Sequence, residues 1–364
     1  MSWILAFLGF AALIILHEAG HFAAAKAVGM RVERFSLFFP PLLLRRRRGE
    51  TEYAVGAIPL GGYVKITGMN PAEEIPPEVA HRAYFRQPVW KRVVVIAAGP
   101  VVNIVLAFVI LAIVFMHSGT REPPPRVQSV APGKPAAQIL KADDELVAID
   151  GHRPTGKTVD DQNASIMRLI SAHHCAGQPV KGCAAATPVK ITVRRAGRLL
   201  TVSGTPTYDP LNKRVLLGFA LGGTPKPAGP VRAAGLSVDS MWQVTSGTIS
   251  TLAGVLNPQK RKQISGVVGT YEVTRQTVEI SAEQTFFLLA VISLSLGVIN
   301  LFPFLPLDGG HIFWALAEKV RGRAIPFSVM ERAGFVGFAL VIGLFVIGFT
   351  NDMGRLLGDG FNVR

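Results

Sequence analysis

Four long apolar runs divide the chain into membrane-sized pieces. They cover residues 3–28, 93–116, 285–302 and 333–349. A helix needs roughly 20 apolar residues to cross about 30 Å of hydrocarbon, so four transmembrane helices are predicted, the last at the short end. Between the first two runs the pattern shortens. Residues 52–66 are β-leaning pieces punctuated by Gly56, Pro59, Gly61 and Gly62, which predicts a β-hairpin. Pro59 has no N–H for a central ladder and so places this stretch at a sheet edge. Residues 31–48 read as an arginine-rich loop, with the run Arg45 to Arg48 in water or against lipid headgroups. Residues 69–92, with Pro71, Pro76, Pro77 and Pro88, read as a loop holding one short helix.

Residues 118–285 are hydrophilic by comparison. Residues 126–137 leading to 143–151 suggest a strand, a turn, a short helix and a second strand ending in Asp150-Gly151, and two further strands are expected at 189–194 and 199–203. Pro206, Pro210, Pro225, Pro227 and Pro230 make 204–230 a linker. Residues 231–256 form a mildly amphipathic segment suited to a membrane surface. The division is then a membrane core at 1–117, a small α+β domain at 118–206, a linker with a surface segment at 207–284, and a return to the membrane core at 285–364.

Composition sharpens this picture. Of 364 residues 49% are hydrophobic, and the formal charge is +14. Basic balance of this size can serve nucleic acid, but no basic fold interleaved with aromatics is present, and basic membrane loops explain it. Lys and Arg are denser in residues 26–92 and 319–332 than in 118–285. The positive-inside rule therefore puts the first two in the cytoplasm and the middle domain and both termini outside. Cys175 and Cys183 fall in that middle domain, where an oxidising compartment would allow a disulfide. The first apolar run lacks a basic stretch before it and so does not read as a removable leader.

Ionisable side chains inside apolar runs are costly and usually functional. The first run contains His17-Glu18-Ala19-Gly20-His21. Positions i and i+4 share a helix face, so two imidazoles can aim at one point, which suits zinc. Glu18 sits about 100° round the helix, placed for a metal-held water rather than the metal. A second feature, Asn300 through Gly310, ends the third run and supplies one carboxylate, Asp308. Two histidines and a carboxylate leave a fourth tetrahedral position open, as a catalytic zinc requires. Asn103, in the second run, fits either helix packing or a polar contact to this site.

These pieces, with Gly56 to Gly62 followed by Tyr63-Val64-Lys65, Gly99-Pro100 with Asn103, and Ser265-Gly266-Val267-Val268-Gly269, resemble the site-2 proteases. Those are zinc intramembrane metalloproteases of peptidase family M50, here of the bacterial regulator-of-sigma-E type. The resemblance implies a polytopic α-helical membrane protein with about four transmembrane helices, a membrane-associated β-hairpin and one α+β PDZ-like extracytoplasmic domain. It implies one Zn2+ per chain on His17, His21 and Asp308, with Glu18 as general base. Asn300, Pro303 and Pro306 would shape the substrate site, and Asn300 or Asn103 would stabilise an oxyanion. Ala54, Val55, Gly56, Ala57 and Ile58 would pair with an unwound substrate. That substrate would be a pre-trimmed single-pass membrane protein such as an anti-sigma factor, or a signal-peptide remnant, in the bacterial inner membrane. The active site would lie near the cytoplasmic side, and the PDZ-like domain would exclude untrimmed chains. Two other functions compete. A non-catalytic PDZ-bearing scaffold would lack a ligand or the base, and all four residues are present. A zinc transporter would show internal repeats, and none is visible.

Overall fold

The computed structural model describes residues 2–70, 73–180, 182–209, 214–262 and 264–357. Pro71, Pro210 and both chain termini lie outside them. In chain order the elements are α1 (Ser2–Ala27), β1 (Val32–Arg48), β2 (Thr51–Ile66), α2 (Val89–His117), β3 (Thr120–Val130), β4 (Glu145–Ile149), α3 (Val159–Ser171), β5 (Val189–Arg195), β6 (Arg198–Gly204), β7 (Thr207–Asp209), β8 (Arg214–Leu216) and β9 (Phe219–Lys226). The helices α4 (Pro230–Ala253), α5 (Pro258–Arg261), α6 (Val267–Ile280), α7 (Ala282–Asn300), α8 (Asp308–Arg321) and α9 (Phe327–Leu357) complete the chain. Two compact units result: one gathers the chain up to Val114 and from Arg232 onward, the other is Phe115–Val231.

Among the described residues, α1, α2, α7 and α9 are long and apolar enough to cross a membrane. With that family of helices the protein is a membrane protein. The fourth helix is longer than its apolar run, with 31 residues rather than 17. The reason is that its polar end has partners. Asp352, fully buried, accepts hydrogen bonds from Ser265 Oγ and from the backbone N–H groups of Gly266 and Gly269 at the start of α6. The helix therefore continues past its apolar run.

The arginine-rich stretch is not a loop. It is β1, and β1 and β2 each double back, so that two strands make four ladder segments. Phe35 pairs with both Tyr53 and Val64, while Val55 pairs with both Leu37 and Leu44. Across the sheet the order is 42–48, 51–56, 34–39, 62–66. The fold-back has a local cause. Phe38 is left-handed at φ 70°, and Pro40 and Pro41 have no N–H to continue a ladder. Gly56 seals the bend, because a Cβ there would sit 2.1 Å from the Phe39 carbonyl oxygen. Between this sheet and α2 lie two 3₁₀ turns, Ala80–Arg82 and Tyr84–Arg86, where one short helix is expected.

The second unit is built on a five-stranded sheet, in order β6-β5-β4-β3-β9. Alternation along β5 buries Val189, Ile191 and Val193 against Leu146, Ile149, Ile166 and Ile170. The linker assignment of residues 204–230 fails here. Residues 219–226 form β9 and pair antiparallel with β3, Val127 opposite Leu221. The proline at its end is compatible because β9 is an edge strand, which spares one side of its backbone from pairing. Cys175 and Cys183 are joined as a disulfide in this unit.

Candidate metal centre

In the first unit α1 and α2 come into close contact where the histidines lie. Gly20, inside the motif, lets α1 touch α2: a Cβ at Gly20 would be 2.7 Å from the Ala98 carbonyl oxygen. Gly99 returns the favour, since a Cβ there would be 2.2 Å from His21 Nε2. His21 is thus slotted against a side-chain-free patch of α2. Four residues before that patch, the Val95 carbonyl accepts from His21 Nδ1 at 2.9 Å. A carbonyl only accepts, so in the neutral ring the proton is on Nδ1 and the Nε2 lone pair faces the cluster.

Three donor atoms meet there. His17 Nε2 is 3.2 Å from His21 Nε2, and Asp308 Oδ2 is 3.3 Å from each. Both histidines are 7% exposed. The ligand atoms of His17, His21 and Asp308 all lie within 4.8 Å of one another. Asp308 Oδ2 is buried with no hydrogen-bond donor among the described residues. Lone pairs and an anionic oxygen facing each other out of water repel unless a cation sits among them. The donor set, two imidazoles and one carboxylate, fits zinc.

Asp308 reaches this point because it is the first residue of α8, directly after the irregular segment 301–307. That segment is clamped by glycines. A Cβ at Gly309 would lie 2.2 Å from the Leu301 carbonyl oxygen, one at Gly310 2.4 Å from Leu305 N, and one at Gly337 of α9 1.7 Å from the Leu305 carbonyl oxygen. Glu18 is half-buried on α1, one residue after His17 and beside the cluster. The sheet covers its other side: a Cβ at Gly62 would be 2.8 Å from Glu18 Cγ.

The remaining candidate residues distribute differently. Asn103 is fully buried, and among the described residues neither its side-chain oxygen nor its nitrogen has a partner. It faces α7, where its main-chain carbonyl accepts from Ser293 Oγ at 2.9 Å. Asn300 ends α7 half-buried, while Pro303 and Pro306 are exposed on the segment leading to Asp308. No hydrogen bond among the described residues ties Asn300 to the cluster. The expectation of a free edge at Ala54, Val55, Gly56, Ala57 and Ile58 is corrected at Ala54 and Val55, which are paired on both sides. Ala54 pairs with both Ser36 and Arg45, Val55 with both Leu37 and Leu44, Gly56 with Leu42, and Ile58 with Phe39. Because β1 folds back over them, 54–55 are central, and the edge next to Glu18 is 62–66. Gly20, Gly62, Val95 and Gly99 are site-shaping residues that motif reasoning missed or left without a role. Three of them announce themselves only by lacking a side chain.

Comparison with known proteins converges on the same chemistry. The family model described as "Peptidase family M50" matches residues 5–344. Relatives named "Putative zinc metalloprotease" include one from Rhizobium meliloti, 30% identical, with 95% of this chain and 94% of the relative aligned. Another from Clostridium perfringens is 30% identical over 97% of this chain and 98% of the relative. A third, from Agrobacterium fabrum, is 30% identical over 95% and 94%. The match runs from the first apolar helix into the last and takes in both halves of the His/Asp cluster, so the chain belongs to peptidase family M50 and is a metalloprotease.

Proposed function

We propose that this protein is a zinc-dependent intramembrane protease that cleaves a pre-trimmed single-pass membrane protein within its transmembrane segment. The observation that carries the proposal is the convergence of His17, His21 and Asp308 on one buried point, inside helices apolar enough to span a bilayer. One zinc per chain would sit on these three residues. Bound zinc supplies Lewis acidity, polarising the scissile carbonyl and lowering the pKa of a water toward about 7.

The rest of the chemistry falls to the chain itself. Glu18 follows His17 by one residue, so its carboxylate points beside the cluster and not into it. From there it takes a proton from the attacking water and passes it to the leaving amine. A helical substrate keeps its carbonyls in internal hydrogen bonds, so it must unwind before attack. The edge at 62–66, unpaired on its outer side among the described strands, would let the unwound segment add as a strand beside Glu18. Asn300 or Asn103 would stabilise the oxyanion, and Pro303 and Pro306 would border the substrate; their place on or beside α7 and the segment before Asp308 is compatible with this.

Resemblance to the regulator-of-sigma-E proteases makes an anti-sigma factor the leading substrate, with signal-peptide remnants second. The Phe115–Val231 unit, a five-stranded sheet with a two-stranded sheet and the helix α3, would be the PDZ-like filter that excludes untrimmed chains. Lys and Arg density supports an inner-membrane orientation with residues 26–92 and 319–332 in the cytoplasm and the second unit outside.

The test is cleavage of a model single-span substrate in detergent by wild type and Glu18→Gln, with zinc measured on both. Wild type should bind one zinc and cleave. Glu18→Gln should keep the zinc and lose roughly 10²–10⁴ in rate. Full activity in the variant would remove Glu18 from the mechanism, and a wild type without zinc would remove the metal reading.

A further inference from the structure

The cluster's third ligand depends on how α8 lies, and α8 is held at its far end by a buried ion pair. Arg92, in the first turn of α2, is only 7% exposed. Its two terminal nitrogens donate to the two carboxylate oxygens of Glu318 on α8, at 2.9 and 2.7 Å. Among the described residues Arg92 Nε has no partner, and the hydrogen bonds of this buried guanidinium go to one carboxylate. The fork matches a carboxylate in plane and fixes direction as well as distance, which a lysine ammonium cannot do.

The positions of both partners relate the pair to the metal cluster. On α2, Arg92 precedes by three residues Val95, which accepts from His21, and by seven Gly99, against which His21 packs. These spacings put all three on one face of the helix. On α8, Glu318 follows Asp308 by ten residues, about 15 Å along the helix. Between the two ends, Ile312 of α8 packs on the core that holds Val95, Ile96 and Tyr84. The same helix that seats His21 therefore grips the helix that delivers Asp308. The N-terminal end of α8 has no side-chain cap and is held by the close packing of Gly309 and Gly310 on the 301–305 backbone. The bidentate pair holds the other end of α8 against α2 in both distance and direction.

We propose that Arg92 and Glu318 are positioning residues for the metal site: their ion pair sets the angle at which Asp308 meets His17 and His21. The proposal rests on the zinc reading above. It differs from mere stabilisation, because it predicts a change in metal affinity in protein that is still folded.

The test uses the full-length protein in detergent with two variants that keep both charges, Arg92→Lys and Glu318→Asp. Zinc affinity is measured by competition with a chromophoric chelator, beside the melting temperature of metal-free protein. Residues that orient metal ligands from behind are worth 10–100-fold in affinity, so about tenfold weaker zinc binding is expected in each variant, with metal-free melting close to wild type. Wild-type zinc affinity in both variants would overturn the proposal. So would a fall in metal-free melting temperature with zinc affinity unchanged, which would leave the pair a packing role only. Wild type that binds no zinc would sink the metal reading itself, a result separable from either.

Discussion

Gly99 has no polar atom in its side chain, yet it holds the geometry of the histidine cluster. Where a side chain would project from Gly99, the His21 ring already lies. Replacing it with alanine would place a methyl 2.2 Å from His21 Nε2, and the backbone of neither helix can retreat easily where Gly20 already touches Ala98. The ring would have to swing away, taking with it the hydrogen bond to Val95. Gly99→Ala should therefore lower zinc content without removing a ligand, by about tenfold in affinity if it acts as other supports behind ligands do. Metal analysis of purified variant and wild type checks this. Undiminished zinc would show that His21 has room to move. Glu18 offers the contrast: it touches no ligand position, so its replacement should spare the metal and remove the reaction.

At the scale of elements, the sheet brings distant charges together. Glu50, in the turn between β1 and β2, accepts from Arg82 at 2.7 and 2.9 Å and from Lys26 at 2.5 Å. The turn is thereby tied to the end of α1 and to the first 3₁₀ turn. Hydrogen bonds from Arg82 and then Lys26 push the Glu50 carboxyl down to about 2 from an ordinary 4.5. A depressed carboxyl stabilises the fold above its unfolded value and loses that contribution as pH falls toward the folded value. Glu50→Gln should thus melt below wild type at pH 7 and pH 5, and the gap should close between about pH 4.5 and 2. A gap constant across that range would mean that the charge of Glu50 contributes nothing. The same elements show what a sequence hides. The His17–Glu18–His21 face is legible because its spacing is local to one helix, and Asp308 because a carboxylate stands out at the end of an apolar run. Strand β1 was hidden by its arginines and by Pro40-Pro41, which look like a loop until β2 wraps around them. Strand β9 was hidden by prolines and glycines that an edge tolerates. Helix α3 did carry a local signal, the Thr158–Asp161 capping box, in a stretch read without a helix.

For the whole molecule, the two units have separate cores, and this sets how a bound metal acts on stability. The second unit buries Val127, Leu146, Ile149, Ile166, Ile170 and Ile191 in its own cluster, with no metal-ligand group of His/Asp type among the described residues there. The first unit places its proposed ligands on α1 and α8, which are nearly 300 residues apart in sequence. A ligand that binds only the folded state stabilises it by RT ln(1 + [L]/Kd), about 2.7 kcal/mol at a hundredfold excess over Kd. That stabilisation belongs to whatever must be folded for His17, His21 and Asp308 to meet. It should therefore appear in α1, α2 and α8, and not in β3 to β6. Hydrogen exchange on zinc-loaded and chelator-treated protein reads this directly. Loading should slow exchange in the three helices by up to about a hundredfold, the rate equivalent of that energy, while the five-stranded sheet exchanges as before. Equal slowing in both units would mean that they unfold as one cooperative body, and the zinc would then stabilise the entire chain. Slowing in neither would mean that the metal binds a structure already rigid, or does not bind at this cluster; Asp308→Ala, which removes one ligand, separates those two outcomes by its zinc content.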